Sequence, residues 1–412
     1  MAEQTQIRKH LQEIYAAALA SVDGRASVCK ALRRHKISSL LNVIAIGKAA
    51  PAMLQGALDE LSGKIQQGLL ITKHGHAEAS TFPTNITLIE AGHPWPDQAS
   101  LDAGKALLDF ITTSPADAQL LFLISGGASS LVEVLSDGIT LNELHKLNYW
   151  LLGSGLDIHA MNHVRKAISS IKGGRLAQQL ASRTALALLI SDVTGDDPST
   201  IGSGLLVADH LQQTDAPLDL PDWVDALIQK GGSAPQLGDS CFVSVRVEII
   251  ASLSDAKHAA AAKGRDLGYE VYEHGATLGG DAVTLGRQLA SELLAGPEVL
   301  HVWGGETTVR LPQGPGRGGR NQHLALAAAI ELAGEDYVAF LAAGTDGTDG
   351  PTEDAGALVD GQTLARGEAQ GLSAVRALHE ADAGSFLAAS GDLIQTGPTG
   401  TNVMDLMLGL KV

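Results

Sequence analysis

The stretch from His301 to Asp360 constrains the fold more than any other part of this chain. It reads as strand, basic glycine loop, helix, strand and acidic glycine loop. Such an order closes one α/β unit and sets guanidinium groups and carboxylates at neighbouring ends of it. The basic loop, Pro312 to Arg320, interleaves Gly314, Gly316, Gly318 and Gly319 with Arg317 and Arg320. Glycines let backbone approach a ligand, and arginine forks match phosphate or carboxylate. Asn321 is expected to cap a helix Gln322–Leu332, whose first N–H groups favour an anion. The acidic loop follows the apolar run Tyr337–Ala343 and carries Asp346, Asp349, Glu353 and Asp354. Crowded hard oxygens suit Mg²⁺ or a general base, although a tight turn rich in Asx caps has the same composition.

Two other phosphate motifs are excluded. Residues 314–319 satisfy G-x-G-x-x-G literally. In a dinucleotide fold, however, the acidic residue about 20 positions on ends the next strand, whereas Glu335 and Asp336 precede theirs. A Walker A loop needs Ser or Thr after its Lys. Lys48, Lys64 and Lys105 are followed by Ala, Ile and Ala.

The rest of the chain repeats the rhythm. Leu40–Ile46 reads as a buried strand ending in Gly47-Lys48 before a helix Ala49–Leu61, and open α/β sheets place ligands at that end. Lys48 meets a phosphate there or is a plain loop lysine. Leu120–Ile124 feeds Ser125-Gly126-Gly127-Ala128-Ser129-Ser130, small residues whose N–H groups can converge on phosphate oxygens. Ala185–Ile190 ends in Ser191-Asp192. Lys48, Ser125 and Asp192 should therefore face one crevice. The most basic segment, Asn162 to Arg175, carries Arg165 and Lys172, and as an isolated run would be a solvated helix face. His93 lies in the rigid turn Gly92 to Asp97; His74 and His76 lack a third ligand nearby. The spacing of Ile7, Leu11, Ile14, Tyr15 and Ala18 predicts a helix, expected to pack on the first domain. The rhythm lapses over 211–237, among Pro217, Pro221 and Pro235. A boundary is placed there, with domains 1–235 and 236–412, and Val243–Ile250, Asp255–Leu267 and Tyr269–Tyr272 are expected to open the second as strand, helix and strand.

At 412 residues, two cores are expected. A net charge of −17 argues against nucleic acid, so an anionic substrate needs a local basic pocket. Cys29 and Cys241 suggest neither disulfide nor zinc, and no apolar run reaches the ~18 residues of a membrane span. A cytoplasmic protein with no nucleic-acid and no membrane partner is expected.

Taken together, the segments AIGKAA, GHPWPD, LISGGASSL, NHVRKAISSIKGGRLA, SDVTGDDPSTIGSG, GGETTV, GRGGRNQ, AAGTDGTDGPTEDAGALVD and GTNVMDLMLGL resemble the glycerate 2-kinases of the MOFRL type. The resemblance implies an α/β protein of two α/β domains, a larger Rossmann-like N-terminal domain and a smaller C-terminal MOFRL domain, with the active site in the cleft between them. It further implies ATP and Mg²⁺ phosphorylating D-glycerate, a small-molecule substrate, to 2-phosphoglycerate; a homodimer is compatible with it. Lys48 and Arg320 are the residues it marks as essential, with Asp192 and Asp346 as acidic members for Mg²⁺ or proton transfer. Gly47, Ser125, Gly126, Gly127, Ser129, Glu306, Gly318 and Gly319 are expected on the nucleotide; His93, Arg165, Lys172 and Arg317 on the substrate. The chain departs from the family pattern at His323 for Glu, Met404 for Asn, Leu253 for Asn and Leu205 for Pro. Two rivals stand beside this reading. One is an NAD(P)H-dependent hydroxypyruvate reductase, an older name in the family that the missing dinucleotide context does not support. The other is a nucleotide or sugar-acid sensor that kept the fold without catalysis, suggested by His323 and Met404.

Overall fold

The structure, a computed structural model, describes residues 2–156, 158–181, 183–209 and 219–412. The chain forms two compact units. The N-terminal unit is Gly24–Ile250, and the C-terminal unit joins Met1–Asp23 to Ala251–Val412.

The N-terminal unit is built on β1 (Leu41–Ile46), β2 (Ile65–Lys73), β3 (Ile86–Ala91), β4 (Gln119–Ile124), β5 (Ala185–Ile190) and β6 (Val245–Ala251), in the order β3-β2-β1-β4-β5-β6. Pairs β1–β2, β2–β3, β1–β4 and β4–β5 are parallel. Parallel strands need crossover helices, which cover both faces, so their central strands read as unbroken apolar runs. All six residues of β1 and of β5 are buried. The helix Gln98–Thr113 buries Ala103, Leu107 and Ile111 against Ile44, Ile71 and Phe122 on one face. This strand order is that of dinucleotide-binding sheets, with its switch point between β1 and β4.

The C-terminal unit is built on β7 (Val271–Asp281), β8 (Leu300–Thr308), β9 (Val338–Gly344), β10 (Gly356–Asp360), β11 (Leu393–Ile394) and β12 (Asp405–Lys411), in the order β11-β10-β9-β12-β8-β7. Only β7–β8 is parallel; β12 runs antiparallel between β8 and β9, and β10 and β11 continue the antiparallel edge. The helices Ala282–Ala295 and Arg320–Glu331 bury Leu289, Leu293, Leu324 and Ala328 against Trp303, Phe340 and Met407. The N-terminal helix Ala2–Ser21 and the helix Leu253–Asp266 pack together, and the former lies along β9 and β12.

The division differs from the expected boundary at 235/236 in two respects. The N-terminal helix packs in the C-terminal unit rather than on the first domain: Tyr15 donates a 2.7 Å hydrogen bond to the Gly344 carbonyl, and Arg8 pairs with Asp360 and Asp392. An amphipathic stripe fixes which face is buried, not which core receives it. Likewise, Val243–Ile250 does not open the second domain. Strand β6 adds to the edge of the first sheet, its Val245, Val247 and Ile249 packed on that core. The strand expected at Tyr269–Tyr272 begins at Val271 and runs on to Asp281. Of the segment 211–237, residues 211–218, Pro217 among them, lie outside the described residues. Among the described residues no helix is long and apolar enough to cross a membrane.

Candidate active site

In the N-terminal unit, parallel register brings three turns level. Ile46 pairs with Ile124, and Ile124 with Leu189. Gly47-Lys48, Ser125-Gly126 and Ser191-Asp192 therefore emerge side by side at the carboxyl ends of β1, β4 and β5. Lys48 N–H donates to the Gly126 carbonyl (3.0 Å), Ala49 N–H to Ser125 Oγ (3.1 Å), and Thr72 Oγ to the Gly47 carbonyl (3.0 Å). Two glycines are required. Gly47 has φ +132°, and a Cβ there would sit 2.2 Å from Ser125 Oγ; Gly127 has φ +85°, and a Cβ would sit 2.9 Å from the His93 ring and 3.3 Å from Lys48 Cγ. His93 and the Lys48 stem thus both lie against the bare backbone of Gly127.

Beside these turns opens a cavity of about 430 Å³, lined by His93, Gly127, Ser129, Ser130, Glu133, Asn148, Arg165 and Lys172 among others. Its cations differ in how they are balanced. Lys172 is buried and paired with buried Glu133, whose other oxygen accepts from Ser169 Oγ (2.6 Å). Lys166, outside the lining, pairs with Asp209 (2.8 Å), and Arg175 donates to three backbone carbonyls. Arg165 instead donates to the side-chain carbonyls of Asn148 (3.1 Å) and Asn162 (3.5 Å), and among the described residues no carboxylate pairs with it. Burial pulls its pKa down. A guanidinium oriented by neutral amides in a cavity wall can receive a ligand carboxylate or phosphate. Ser129 Oγ lies 2.8 Å from Ser203 Oγ on the same wall.

In the C-terminal unit, Arg320 opens the helix Arg320–Glu331 behind Gly319. Its Nε and one terminal nitrogen grip Asp405 at 2.5 and 3.0 Å, and the other terminal nitrogen reaches Glu306 at 2.7 Å. Burial works against its charge, but these carboxylates win and hold the proton more firmly than usual. Asp405 stands outside the site residues that the sequence motifs mark. It ends the GTNVMD segment and is the first residue of β12, and only the antiparallel pairing of β12 with β8 and β9 carries it beside Arg320. Asp346, half-buried, accepts from Thr348 N–H and Oγ, both at 3.0 Å. It stands close to Gly344, as Asp405 does, and the buried Tyr15 hydroxyl lies below both charges, its pKa raised by burial first and then by Asp405 and Asp346.

The cap expected of Asn321 is supplied by another loop. Buried Asp349 accepts from the N–H groups of Asn321 (3.1 Å) and Gln322 (2.8 Å). The group at this helix terminus is thus a protein carboxyl. Gly319 has no room for a side chain there, since a Cβ would lie 2.3 Å from Asp349. Burial and the nearby Asp405 push Asp349 up to about 7, against the pull of the two backbone donors and Arg320. Arg317 is tied down by a pair with buried Asp354 and by its own N–H to Asp382 (2.8 Å), while Gly318 at φ +142° abuts Gly384.

The departures from the family pattern face inward. His323 is buried, its Nδ1 at 2.9 Å from the Gly319 carbonyl. Leu253 packs over Gly304, and Leu205 joins the N-terminal core.

Residues 10–220 match a family described as a domain of unknown function (DUF4147), and residues 299–405 match the MOFRL family. The chain is 37% identical to a D-glycerate 2-kinase of Thermotoga maritima over 90% of each chain. It is 31% identical to a glycerate kinase of Homo sapiens over 91% of this chain and 85% of that one. A similar relative of Agrobacterium vitis, 36% identical over 97% of this chain and 93% of its own, carries the name putative hydroxypyruvate reductase. The crystal structure of a Thermotoga maritima glycerate kinase superposes with a TM-score of 0.86 at 33% identity, covering 99% of this chain and all of the other. Two units with these motifs in this order, matched along nearly the whole length, show that the chain belongs to the MOFRL-type glycerate kinase family.

Proposed function

We propose that this protein transfers a phosphoryl group from ATP to D-glycerate, with Mg²⁺, giving 2-phosphoglycerate. The observation that supports it most is the levelled set of turns at the switch point of the N-terminal sheet, with Lys48, Ser125-Gly126-Gly127 and Asp192 beside a cavity holding Arg165. Phosphoryl transfer asks little covalent chemistry of a protein; positioning and charge neutralisation do most of it. Bare backbone at Gly47 and Gly127 lets these turns pack closely on Ser125, His93 and the Lys48 stem, and Lys48 neutralises the phosphate oxygens. Arg165 grips the hydroxy acid's carboxylate, while Lys172, already neutralised by Glu133, and His93 shape the wall around it.

From the C-terminal unit, Arg320 stabilises the transferring group, and Glu306 and Asp405 fix its orientation. Half-buried Asp192 and Asp346 offer hard oxygens that fit an ion normally held by one or two carboxylates plus substrate phosphates. Bound Mg²⁺ would neutralise charge on the phosphates; whichever carboxylate is not committed to it takes the hydroxyl proton. Gly318 and Gly319 let the basic loop approach the nucleotide.

A reductase would need a dinucleotide site. The turn after β1, where that fingerprint belongs, is Gly47-Lys48-Ala49-Ala50, and the literal glycine motif of 314–319 lies in a loop after β8, a strand of the other unit's mixed sheet with an antiparallel neighbour. The test is ATP consumption against glycerate, tartronate, hydroxypyruvate and threonate, with phosphorus NMR locating the new ester. A C2 ester from D-glycerate is expected. No ester from any of the four, or NADH oxidation by hydroxypyruvate without coupling enzyme, overturns the proposal.

A further inference from the structure

Apart from the residues given a role in the proposed reaction, the edge of the C-terminal sheet carries a second cluster of metal-type donors. His274 on β7 and His301 on β8 bring Nε2 and Nδ1 to 2.9 Å of each other, and Glu292, near the end of the helix Ala282–Ala295, puts a carboxylate oxygen 3.9 Å from His274 Nε2. One nitrogen from each histidine and one Glu292 carboxylate oxygen all lie within 4.8 Å of one another. The backbone is irregular where it needs to be: the β7–β8 register shifts between Glu273 and Thr277, so that extra β7 residues accumulate at His274. Such bulges re-aim a side chain out of the regular alternation. Trp303 stacks on both imidazoles, at 4.8 Å from each, and fixes their planes.

From this geometry we infer a site for one borderline transition-metal ion, Zn²⁺ or Co²⁺, held by His274, His301 and Glu292, with the fourth position open to water on the side of exposed Glu292. Tetrahedral bonds of about 2.0–2.2 Å place donors a little over 3 Å apart. The two imidazoles must open slightly, and the Glu292 side chain, 42% exposed, must swing in. Each imidazole binds as the neutral form. One ring exchanges tautomer as the hydrogen bond between them gives way to the ion. Two imidazoles with one carboxylate favour zinc, cobalt, nickel or copper over Mg²⁺, so this site is separate from the magnesium of the proposed reaction. Its effect is to staple the irregular edge strand β7 to β8 and to the helix above.

The experiment titrates metal-free full-length protein with Zn²⁺ alone by calorimetry and with Co²⁺ alone by visible absorption. One Zn²⁺ per chain, tetrahedral cobalt bands and a higher melting temperature with zinc are expected. Glu292→Gln and His274→Gln should each weaken binding at least ~10-fold, with Glu292→Gln leaving ATP turnover unchanged; Asp346→Asn should leave zinc binding intact. Absence of saturable binding, an isotherm that both variants leave unmoved, or loss of binding in Asp346→Asn overturns the assignment. Because Glu292 is exposed, its variant stays interpretable even if His274→Gln folds poorly.

Discussion

Met404 is buried yet holds φ at 70°, a region that side chains other than Asn and Gly seldom enter. Its carbonyl accepts from both Thr345 N–H (3.0 Å) and Thr345 Oγ (2.7 Å), which pins the conformation. The strain costs about 1 kcal/mol, less than the roughly 2 kcal/mol that burying a methionine side chain returns, so the residue is tolerated. Met404→Ala should lose about 2–4 kcal/mol, keeping the strain without the packing. Met404→Gly should be about 1 kcal/mol more stable than the alanine variant, the reverse of the usual order, as measured by denaturant midpoints. The family's asparagine at this point is thus a backbone requirement, something a motif comparison shows as a mismatch without showing its sign. Asp349 gives a second prediction. Its native form keeps a proton up to about pH 7, while the unfolded chain releases it near 4. The protonated group therefore adds stability that is fully present below pH 4 and lost as pH rises through 7. Asp349→Asn should gain on the parent by on the order of 4 kcal/mol between those limits in pH-dependent melts; parallel stability curves would contradict the buried, raised carboxyl.

At the scale of elements, helices and strands were legible where periodicity is local, and their partners were not. The buried stripe Ile7, Leu11, Ile14, Tyr15 and Ala18 was readable because a helix repeats every 3.6 residues. Nothing in it says that Tyr15 reaches a carbonyl 329 residues on. Strand β6 was legible to within two residues of its bounds, but not the sheet it joins, and of β7 only the first residues were legible. The helix beginning at Arg320 was legible, but its cap was not, since Asp349 arrives from 28 positions away and local rules consider only the neighbours of the terminus. Tyr15→Phe tests the long-range contact. It deletes only the hydroxyl that supports the end of β9, from which Asp346 springs. A loss of about 1–2 kcal/mol in stability is expected, together with a raised KM for Mg²⁺ at little change in its saturated rate. An unchanged Mg²⁺ dependence would reduce Tyr15 to a packing residue.

For the whole molecule, the motifs announced two sets of anion-handling groups, and the structure gives each set its own sheet. Lys48, Ser125 and Asp192 could be aligned from sequence because parallel strands separated by helices place every strand end on one edge. Arg320's partner Asp405 could not, since it arrives on β12, an antiparallel neighbour whose place in the sheet the sequence does not encode, whereas Glu306 stands on β8, the strand that leads into Arg320's own helix. Whether the two sets serve one chemical step is a question of coupling. Lys48→Ala and Arg320→Ala, compared at a temperature where circular dichroism shows both folded, should each cost ~10²-fold or more in kcat/KM. If both side chains stabilise the same transition state, removing the first already forfeits much of what the second contributes, as groups acting as a unit are strongly non-additive. The double variant should then fall within roughly tenfold of the worse single one. A loss equal to the product of the two single effects would mean that lysine and arginine act independently, and the phosphoryl-transfer role given to Arg320 would have to be replaced by one in a separate step.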